Sequence, residues 1–196
     1  MEMRESAVHG SLERNLQNGK MVVDSKNANQ SFGQLHELFQ YVFKKLKIKE
    51  RNTREVLVLG FGAGSVAHIL LHEMKKDCII DGVELDKVML EWAQTEFKKN
   101  NSVHLHHADA LEFLLENSKT YDLIISDLFQ DDLVPEKFYN PLYLGQVNIH
   151  RKEQGIAVLN YMPQNDSQKK ILLQFAHETG AQIIHKFERN MLLVIG

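Results

Sequence analysis

Short apolar runs alternate with helix-period stretches from about residue 55 to the end of the chain. The runs are EVLVLG, CIIDGVEL, VHLHHA, YDLIISDLF, GIAVLNY, AQIIHKF and MLLVIG. Between most of them lie stretches such as SVAHILLHEMKK and KVMLEWAQTEFKKN, in which apolar residues recur at the spacing of one helix face. Alternation of this kind predicts an α/β domain with a mostly parallel sheet.

Both ends of the chain depart from this alternation. The last two runs, at 181–187 and 190–195, are separated by too few residues for a crossover helix, so we expect them to pair antiparallel. Near the start, GKMVVDSKNANQ predicts a short strand or hairpin, and FGQLHELFQYVFKKL carries apolar residues at helical spacing. We therefore predict an N-terminal flap and helix at residues 1–50, packed on an α/β domain at residues 51–196.

Composition narrows the class of protein. The 196 residues are 43% hydrophobic and 25% charged, with a formal net charge of −3, so no basic footprint for nucleic acid is present. No apolar stretch reaches the roughly 20 residues of a membrane helix, and the first residues lack the apolar core of a signal peptide. We expect a cytoplasmic protein with neither a nucleic acid nor a membrane as partner.

A glycine turn follows the first predicted strand. Gly60, Gly62 and Gly64 form G-x-G-x-G, with Ser65 where a dinucleotide fingerprint would have its third glycine. Glycines permit a tight turn and close approach to a ligand, and the next helix offers free N–H groups. Glu84 comes twenty residues after Gly64, where its carboxylate can accept hydrogen bonds from two ribose hydroxyls. This spacing favours a ribose-bearing ligand over a plain strand-to-helix turn.

Further carboxylates follow the third and fourth predicted strands. Asp109 and Ala110 begin a helix, so Asp109 either caps that helix or accepts a hydrogen bond from the amine of adenine. Asp127, Asp131 and Asp132 follow the next strand. In an open α/β sheet the carboxyl ends of the strands form the ligand-binding edge. The acidic group either attracts a cationic substrate there or is a solvated loop.

The motifs GFGAG, VELD, ADALEF and YDLIISDLF resemble those of class I S-adenosylmethionine-dependent methyltransferases, and more closely those of the spermidine synthase-like branch. The resemblance covers roughly residues 20 to 196. It implies a Rossmann-like, seven-stranded, mostly parallel sheet with a reversed C-terminal hairpin. It also implies S-adenosylmethionine, or its decarboxylated form, as cofactor. The cofactor-binding residues it implies are Gly60, Gly62, Gly64, Glu84, Leu85, Asp109, Ala110 and Asp127.

On the substrate side the resemblance implies Asp127 as the catalytic residue and Gln30 and His36 as substrate contacts. Asp131, one residue beyond the position of the family's second aspartate, is a further candidate substrate contact. The sequence also departs from spermidine synthases. Ala63 replaces an aspartate of the glycine turn, and Gln130 replaces the second aspartate after the fourth strand. Leu35 replaces the tyrosine that precedes the family's histidine-glutamate pair, whose place His36 and Glu37 take here. The second aspartate holds the amino group of the aminopropyl donor in the family, so its loss weakens the expectation of polyamine synthesis.

We therefore predict an enzyme that transfers a methyl group from S-adenosylmethionine to a small molecule. The alternatives are a spermidine synthase-like aminopropyltransferase, with Asp131 as a surrogate for the missing aspartate, and a catalytically silent nucleotide-binding module. No metal site is expected, because His68 and His72 are four residues apart but no third ligand is evident. The family resemblance suggests a homodimer.

Overall fold

The computed structural model describes residues 1–17, 20–26, 29–31, 33–187 and 189–196. The strands are β1 (Glu2–Ser6), β2 (Gly10–Gln17), β3 (Lys20–Asp24), β4 (Asn29–Ser31), β5 (Glu55–Leu59), β6 (Ile79–Glu84), β7 (Val103–His107), β8 (Tyr121–Ser126), β9 (Arg151–Tyr161), β10 (Gln182–His185) and β11 (Met191–Ile195). The α-helices are α1 (Gly33–Lys45), α2 (Ser65–His68), α3 (Lys87–Glu96), α4 (Ala110–Glu116), α5 (Pro141–His150) and α6 (Asp166–Thr179). Short 3₁₀ turns cover Ile48–Glu50 and Glu136–Tyr139, and a π-helical turn covers Ile69–Glu73.

The central sheet has seven strands in the order β10-β11-β9-β8-β5-β6-β7. Strands β5 to β9 run parallel, and β11 pairs antiparallel with both β9 and β10. The predicted seven-stranded, Rossmann-like α/β fold with a reversed C-terminal hairpin is confirmed. Since the strand order reverses between β5 and β8, the carboxyl ends of these two strands form the switch point of the sheet.

Apolar layers cover both faces of the central sheet. Along β5, Val56 and Val58 face a core that includes Phe39 and Phe43 of α1, while the alternate residues face a second core built with α4, α5 and α6. A strand buried on both faces reads as a continuous apolar run, which is why EVLVLG showed no alternation. Among the described residues no helix is both long and apolar enough to cross a membrane.

The N-terminal segment contains more β-structure than the sequence indicated. A four-stranded antiparallel sheet, β1-β2-β3-β4, occupies the segment where one short strand or hairpin was predicted. Strands β1 and β2 are rich in charged residues and bury little of their surface, so they lack a strong apolar signal. Leu12 and Val23 nevertheless pack against Trp92 of α3, and the guanidinium groups of Arg4 and Arg14 lie over its ring. This sheet therefore rests on the helix that follows β6.

Candidate active site

A cavity of about 500 Å³ opens at the carboxyl edge of the parallel strands. Its wall includes the ends of β5, β6, β8 and β9 together with the turn between β1 and β2. Of the residues predicted from sequence, the structure brings to this wall Gly60, Gly62, Glu84, Leu85, Asp109, Ala110, Asp127 and Asp131. Gly64 and His36 are not among the described residues that line it. The cavity thus gathers residues from widely separated parts of the chain, from Val8 to Asn190.

The glycine turn is held by the neighbouring strand β6. The backbone N–H groups of Gly60 and Phe61 both donate to the carbonyl of Val83, at 2.9 and 3.0 Å. All three glycines have positive φ, +78° at Gly60, +58° at Gly62 and +97° at Gly64. Other residues adopt this region only at a cost of about 1 to 2 kcal/mol, so the turn requires glycine.

Glu84 closes the turn from the end of β6. Its Oε2 accepts a 2.7 Å hydrogen bond from the N–H of Gly62, and its Oε1 accepts a 2.8 Å bond from the N–H of Asp86. Burial raises the pKa of Glu84 to about 7, although these backbone donors favour the charged form. Each carboxylate oxygen keeps a further lone pair, so both ribose hydroxyls of a nucleoside can still bond to it.

We expect the ionisation of Glu84 to lower the stability of the ligand-free protein as the pH rises from about 4.5 to 7. The folded state keeps a proton on Glu84 in this window, whereas the unfolded chain has released it, so rising pH favours unfolding. The effect of Glu84 is at most about 3 kcal/mol, and the curve levels off above pH 7. Burial also raises the pKa of Asp127 to about 7, but its partial exposure to the cavity makes its contribution smaller. Urea denaturation between pH 4.5 and 8 measures this.

The control for this pH dependence is Glu84→Gln, which carries no charge at any pH. Its free energy of unfolding should fall much less across the same window. An equal fall in wild type and Glu84→Gln would show that Glu84 is already ionised at pH 5 in the folded protein.

Asp109 caps α4 and forms an ion pair at the same time. Its Oδ1 accepts from the N–H groups of Leu111 and Glu112 at 3.0 and 3.3 Å, and its Oδ2 pairs with the ammonium of Lys137. Helix capping therefore accounts for Oδ1 of Asp109. An adenine amine that bonds to Oδ2 would have to share this oxygen with Lys137 or displace Lys137 from it. Both residues of this ion pair, Asp109 and Lys137, line the cavity.

Asp109→Asn separates the cap from the ligand contact. The amide oxygen caps a helix about as well as a carboxylate, and the exposed pair with Lys137 contributes at most about 1 kcal/mol, so the melting temperature should change little. Affinity for an adenosyl ligand should fall about tenfold, because a charged acceptor for the amine is lost. Calorimetry with S-adenosylhomocysteine measures this. Unchanged affinity at unchanged stability would restrict Asp109 to its capping role.

Asp127 follows β8 and faces the glycine turn. Its backbone N–H donates to the carbonyl of Leu59 at 2.9 Å, which joins the ends of β5 and β8. Its Oδ1 accepts a 2.8 Å hydrogen bond from the side-chain amide of Asn160. Asn160 in turn accepts a 2.8 Å bond from the amide of Asn190. Sequence reasoning missed both asparagines. The one available signal was a polar residue within the apolar run GIAVLNY.

Asp131 lies at the tip of a tight turn opposite the glycine turn. Gln130 and Leu133 exchange two backbone hydrogen bonds of 2.8 and 3.2 Å, and Asp131 between them has a left-handed backbone, with φ +56°. Its Oδ1 accepts from the hydroxyl of Ser25 at 2.6 Å, and its N–H donates to Nδ1 of His9 at 3.2 Å. Burial lowers the pKa of His9, so its ring is neutral near pH 7 and able to accept this bond. Residues of the N-terminal sheet thereby contact the acidic turn.

The two other predicted substrate contacts are His36 and Gln30. The ring of His36 is buried and hydrogen-bonded to the hydroxyl of Ser65 at 2.9 Å and to Oε1 of Glu73 at 2.7 Å. Gln34 and Leu35, which precede it in α1, line the cavity instead. Gln30 lies in β4, and its side chain is outside the described part of the structure. Across the described residues, no three His, Cys, Asp or Glu side chains are grouped to hold a metal ion.

Comparison with known proteins finds relatives that share sequence with this chain and solved structures that share its fold. The chain is 28% identical over 120 residues to a probable polyamine aminopropyl transferase of Bifidobacterium longum, and 30% identical over 116 residues to a polyamine aminopropyltransferase of Lachnospira eligens. These alignments cover 61% and 56% of this chain, but only 27% and 40% of the two relatives. The chain thus spans less than half the length of these curated relatives.

Solved structures share the fold at low identity. A probable spermidine synthase from Corynebacterium glutamicum superposes with a TM-score of 0.77 at 16% identity, covering 100% of this chain and 79% of the other. Human methyltransferase-like protein 13, in complex with SAH, gives 0.68 at 22% identity, covering 83% and 82%. The profile of the spermine/spermidine synthase domain matches residues 35–194. The chain therefore belongs to the spermine/spermidine synthase domain family, whose fold is that of class I S-adenosylmethionine-dependent methyltransferases.

Proposed function

We propose that the protein transfers the aminopropyl group of decarboxylated S-adenosylmethionine to an amine. The charge of the cavity carries this proposal. Its wall holds five carboxyl side chains, those of Glu84, Asp109, Asp127, Asp131 and Asp132. The described wall also contains Lys137 and Arg189, but each already pairs with a carboxylate, Asp109 and Asp132 respectively.

Such a wall suits a ligand with two positive charges. Decarboxylated S-adenosylmethionine carries a sulfonium and an ammonium, whereas S-adenosylmethionine also carries a carboxylate. Because Asp109 and Asp132 are paired with Lys137 and Arg189, the described wall has no unpaired cation for the methionine carboxylate and keeps three further carboxyl groups, those of Glu84, Asp127 and Asp131. Charge complementarity therefore favours the decarboxylated donor. This reverses the order of the two alternatives from sequence, in which methyl transfer came first.

Asp127 is suited to the proton transfer that this reaction requires. The lone pair of the amine attacks the aminopropyl carbon next to sulfur, a C–N bond forms, and the C–S electrons stay on the neutral thioether of methylthioadenosine. The proton lost from the amine passes to the carboxylate of Asp127. A pKa of about 7 matches a general base working near neutral pH. The sulfonium is already activated, so positioning supplies much of the remaining catalysis.

Asp131 is positioned to replace the second aspartate of the family, which this chain lacks. Gln130 occupies that position and lines the cavity, but Asp131 lines it as well, on the left-handed turn described above. In this proposal the carboxylate of Asp131 binds the donor's ammonium and remains hydrogen-bonded to Ser25. Glu84 binds the ribose and Asp109 with Ala110 the adenine. The cytoplasmic location, the homodimer and the division at residue 50 remain predictions.

Methyl transfer from S-adenosylmethionine is the second candidate. The neutral amide of Gln130 and the apolar Leu35, both in the cavity wall, replace two polar groups that the resemblance associates with aminopropyl transfer. A neutral hydrogen bond is roughly half as strong as a charge-assisted one, so Gln130 alone would give the decarboxylated donor little advantage. The two candidates therefore differ in whether Asp131 contacts the donor.

Competition calorimetry combined with product analysis tests the proposal. Decarboxylated S-adenosylmethionine should bind at least tenfold more tightly than S-adenosylmethionine, and with putrescine it should yield spermidine and methylthioadenosine. Tighter binding of S-adenosylmethionine, with formation of S-adenosylhomocysteine and a methylated acceptor, would favour the second candidate. Binding of both donors without any product would favour a silent nucleotide-binding module.

Two aspartate variants localise the selectivity. Asp131→Asn should reduce the preference for the decarboxylated donor about tenfold, because the ammonium loses its charged partner. Asp132→Asn is the charge-matched comparison, because it removes one carboxylate next to Asp131 but frees Arg189, so it should raise the affinity for S-adenosylmethionine and leave that for the decarboxylated donor nearly unchanged. Equal losses of affinity for the decarboxylated donor in the two variants would show that the general negative potential of the cavity, and not Asp131, selects the donor.

A further inference from the structure

Three neighbouring strands bring one polar side chain each to the cavity edge. Asp127 directly follows β8, Asn160 is the penultimate residue of β9, and Asn190 directly precedes β11. Because β11 runs antiparallel to β9, its amino end meets the carboxyl ends of the other two strands. The side chains form one chain of hydrogen bonds, from Asn190 Nδ2 to Asn160 Oδ1 and from Asn160 Nδ2 to Asp127 Oδ1, both 2.8 Å long.

The direction of these bonds is fixed by the chemistry of the amides. A side-chain amide donates only from nitrogen and accepts only at oxygen. Since Asn190 donates to the oxygen of Asn160, the amide nitrogen of Asn160 must point the other way, toward Asp127. Both asparagines are buried, at 2% and 6% exposure, so water does not readily take the place of either partner.

We propose that Asn160 and Asn190 are positioning residues that together orient the carboxylate of Asp127 and favour its ionised form. Asn160 acts directly, because an N–H donor stabilises a carboxylate more than a carboxylic acid. Asn190 acts through Asn160, because without it the amide of Asn160 is free to rotate by half a turn and present its oxygen. An oxygen facing Oδ1 favours the protonated acid and opposes general-base catalysis. The catalytic consequence rests on the proposed function, but the effect on ionisation does not.

The ionisation is measured directly in the ligand-free protein. Carbon-13 NMR of protein labelled at the aspartate carboxyl carbons follows Asp127 across a pH titration, and Asp127→Asn identifies its signal by loss. Asn160→Ala should raise the titration midpoint by about one pH unit, since a charge-assisted hydrogen bond is lost. Asn190→Leu, nearly isosteric but without an amide, should raise it by a smaller amount. Asn117→Ala is the matched control, because this amide bonds to Tyr121 at the opposite end of β8.

A midpoint that moves in Asn160→Ala but not in Asn190→Leu would overturn the role of Asn190. Midpoints unchanged in both variants would overturn the whole proposal. Should either variant fail to fold, the wild type still provides a test. The side-chain amide signals of Asn160 and Asn190 should both shift with the titration of Asp127, and a shift in neither would exclude the hydrogen-bonded chain.

Activity distinguishes this inference from the proposed function. If aminopropyl transfer is detected, the midpoint of its pH–rate profile should move upward by the same amount as the NMR midpoint, and a profile that stays in place would overturn the catalytic part. If no transfer is detected while the NMR midpoints move as expected, the positioning of Asp127 holds and the proposed function fails.

Discussion

Asp127→Asn is expected to reduce aminopropyl transfer by about 10²- to 10⁴-fold while leaving donor affinity within about threefold of wild type. The amide oxygen of the variant can still accept from Asn160, so the geometry at the end of β8 is preserved. What is lost is the acceptor for the proton of the attacking amine. Steady-state rates measured with the decarboxylated donor, together with calorimetric affinity, separate these two effects.

The pH dependence of this deficit identifies the proton transfer. Wild-type activity should rise as Asp127 ionises at about pH 7, whereas the variant should lack this step. Its rate should instead climb toward the pKa of the amine, about 10, as the acceptor arrives already deprotonated. A variant that stays equally impaired from pH 7 to 10 would indicate that Asp127 acts on the donor's charge and not as a base.

The central sheet could be predicted from sequence because burial dictates its pattern. A strand covered on both faces needs apolar residues at every position, so β5 and β11 read as continuous runs. The N-terminal sheet could not be predicted in the same way. In β2 the residues are mostly polar or charged, and Leu12 is its one fully buried apolar residue. Its strands are specified by backbone pairing and by contact with Trp92, neither of which leaves a periodic signal.

Some residues of the site could likewise be predicted from sequence, and others could not. Gly62 and Glu84 could be paired by their spacing because a parallel βαβ unit brings the end of each strand to one edge. Asn190 depends on a distant pairing, that of β11 with β9, so its link to Asp127 has no local trace. His36 shows the opposite limitation. Its position matched a motif, but its side chain turns toward Ser65 and Glu73, a choice made by packing that a motif does not encode.

Gly60→Ala is expected to be the most destabilising single substitution at the site, at a cost of about 3 kcal/mol or more. A methyl group at this position would lie 2.8 Å from the carbonyl carbon of Asp127 and closer still to its oxygen. Both partners are backbone, and each is tied to a neighbouring strand, Gly60 to Val83 and Asp127 to Leu59. Relief of the clash therefore requires β5 and β8 to separate at the edge where the cavity forms.

Gly180→Ala is the control for this effect. Gly180 ends α6 with φ +71°, close to the +78° of Gly60, but a methyl group there meets no atom within 4 Å. It should cost only the strain of a left-handed residue, about 1 kcal/mol. Urea denaturation measures both variants, and calorimetry of those that fold should show donor affinity lost in Gly60→Ala and kept in Gly180→Ala. Equal losses of stability in the two variants would mean that backbone strain alone explains why glycine is needed at position 60. A destabilised Gly60→Ala that still binds the donor normally would show that the close approach of β5 and β8 is not what shapes the cavity.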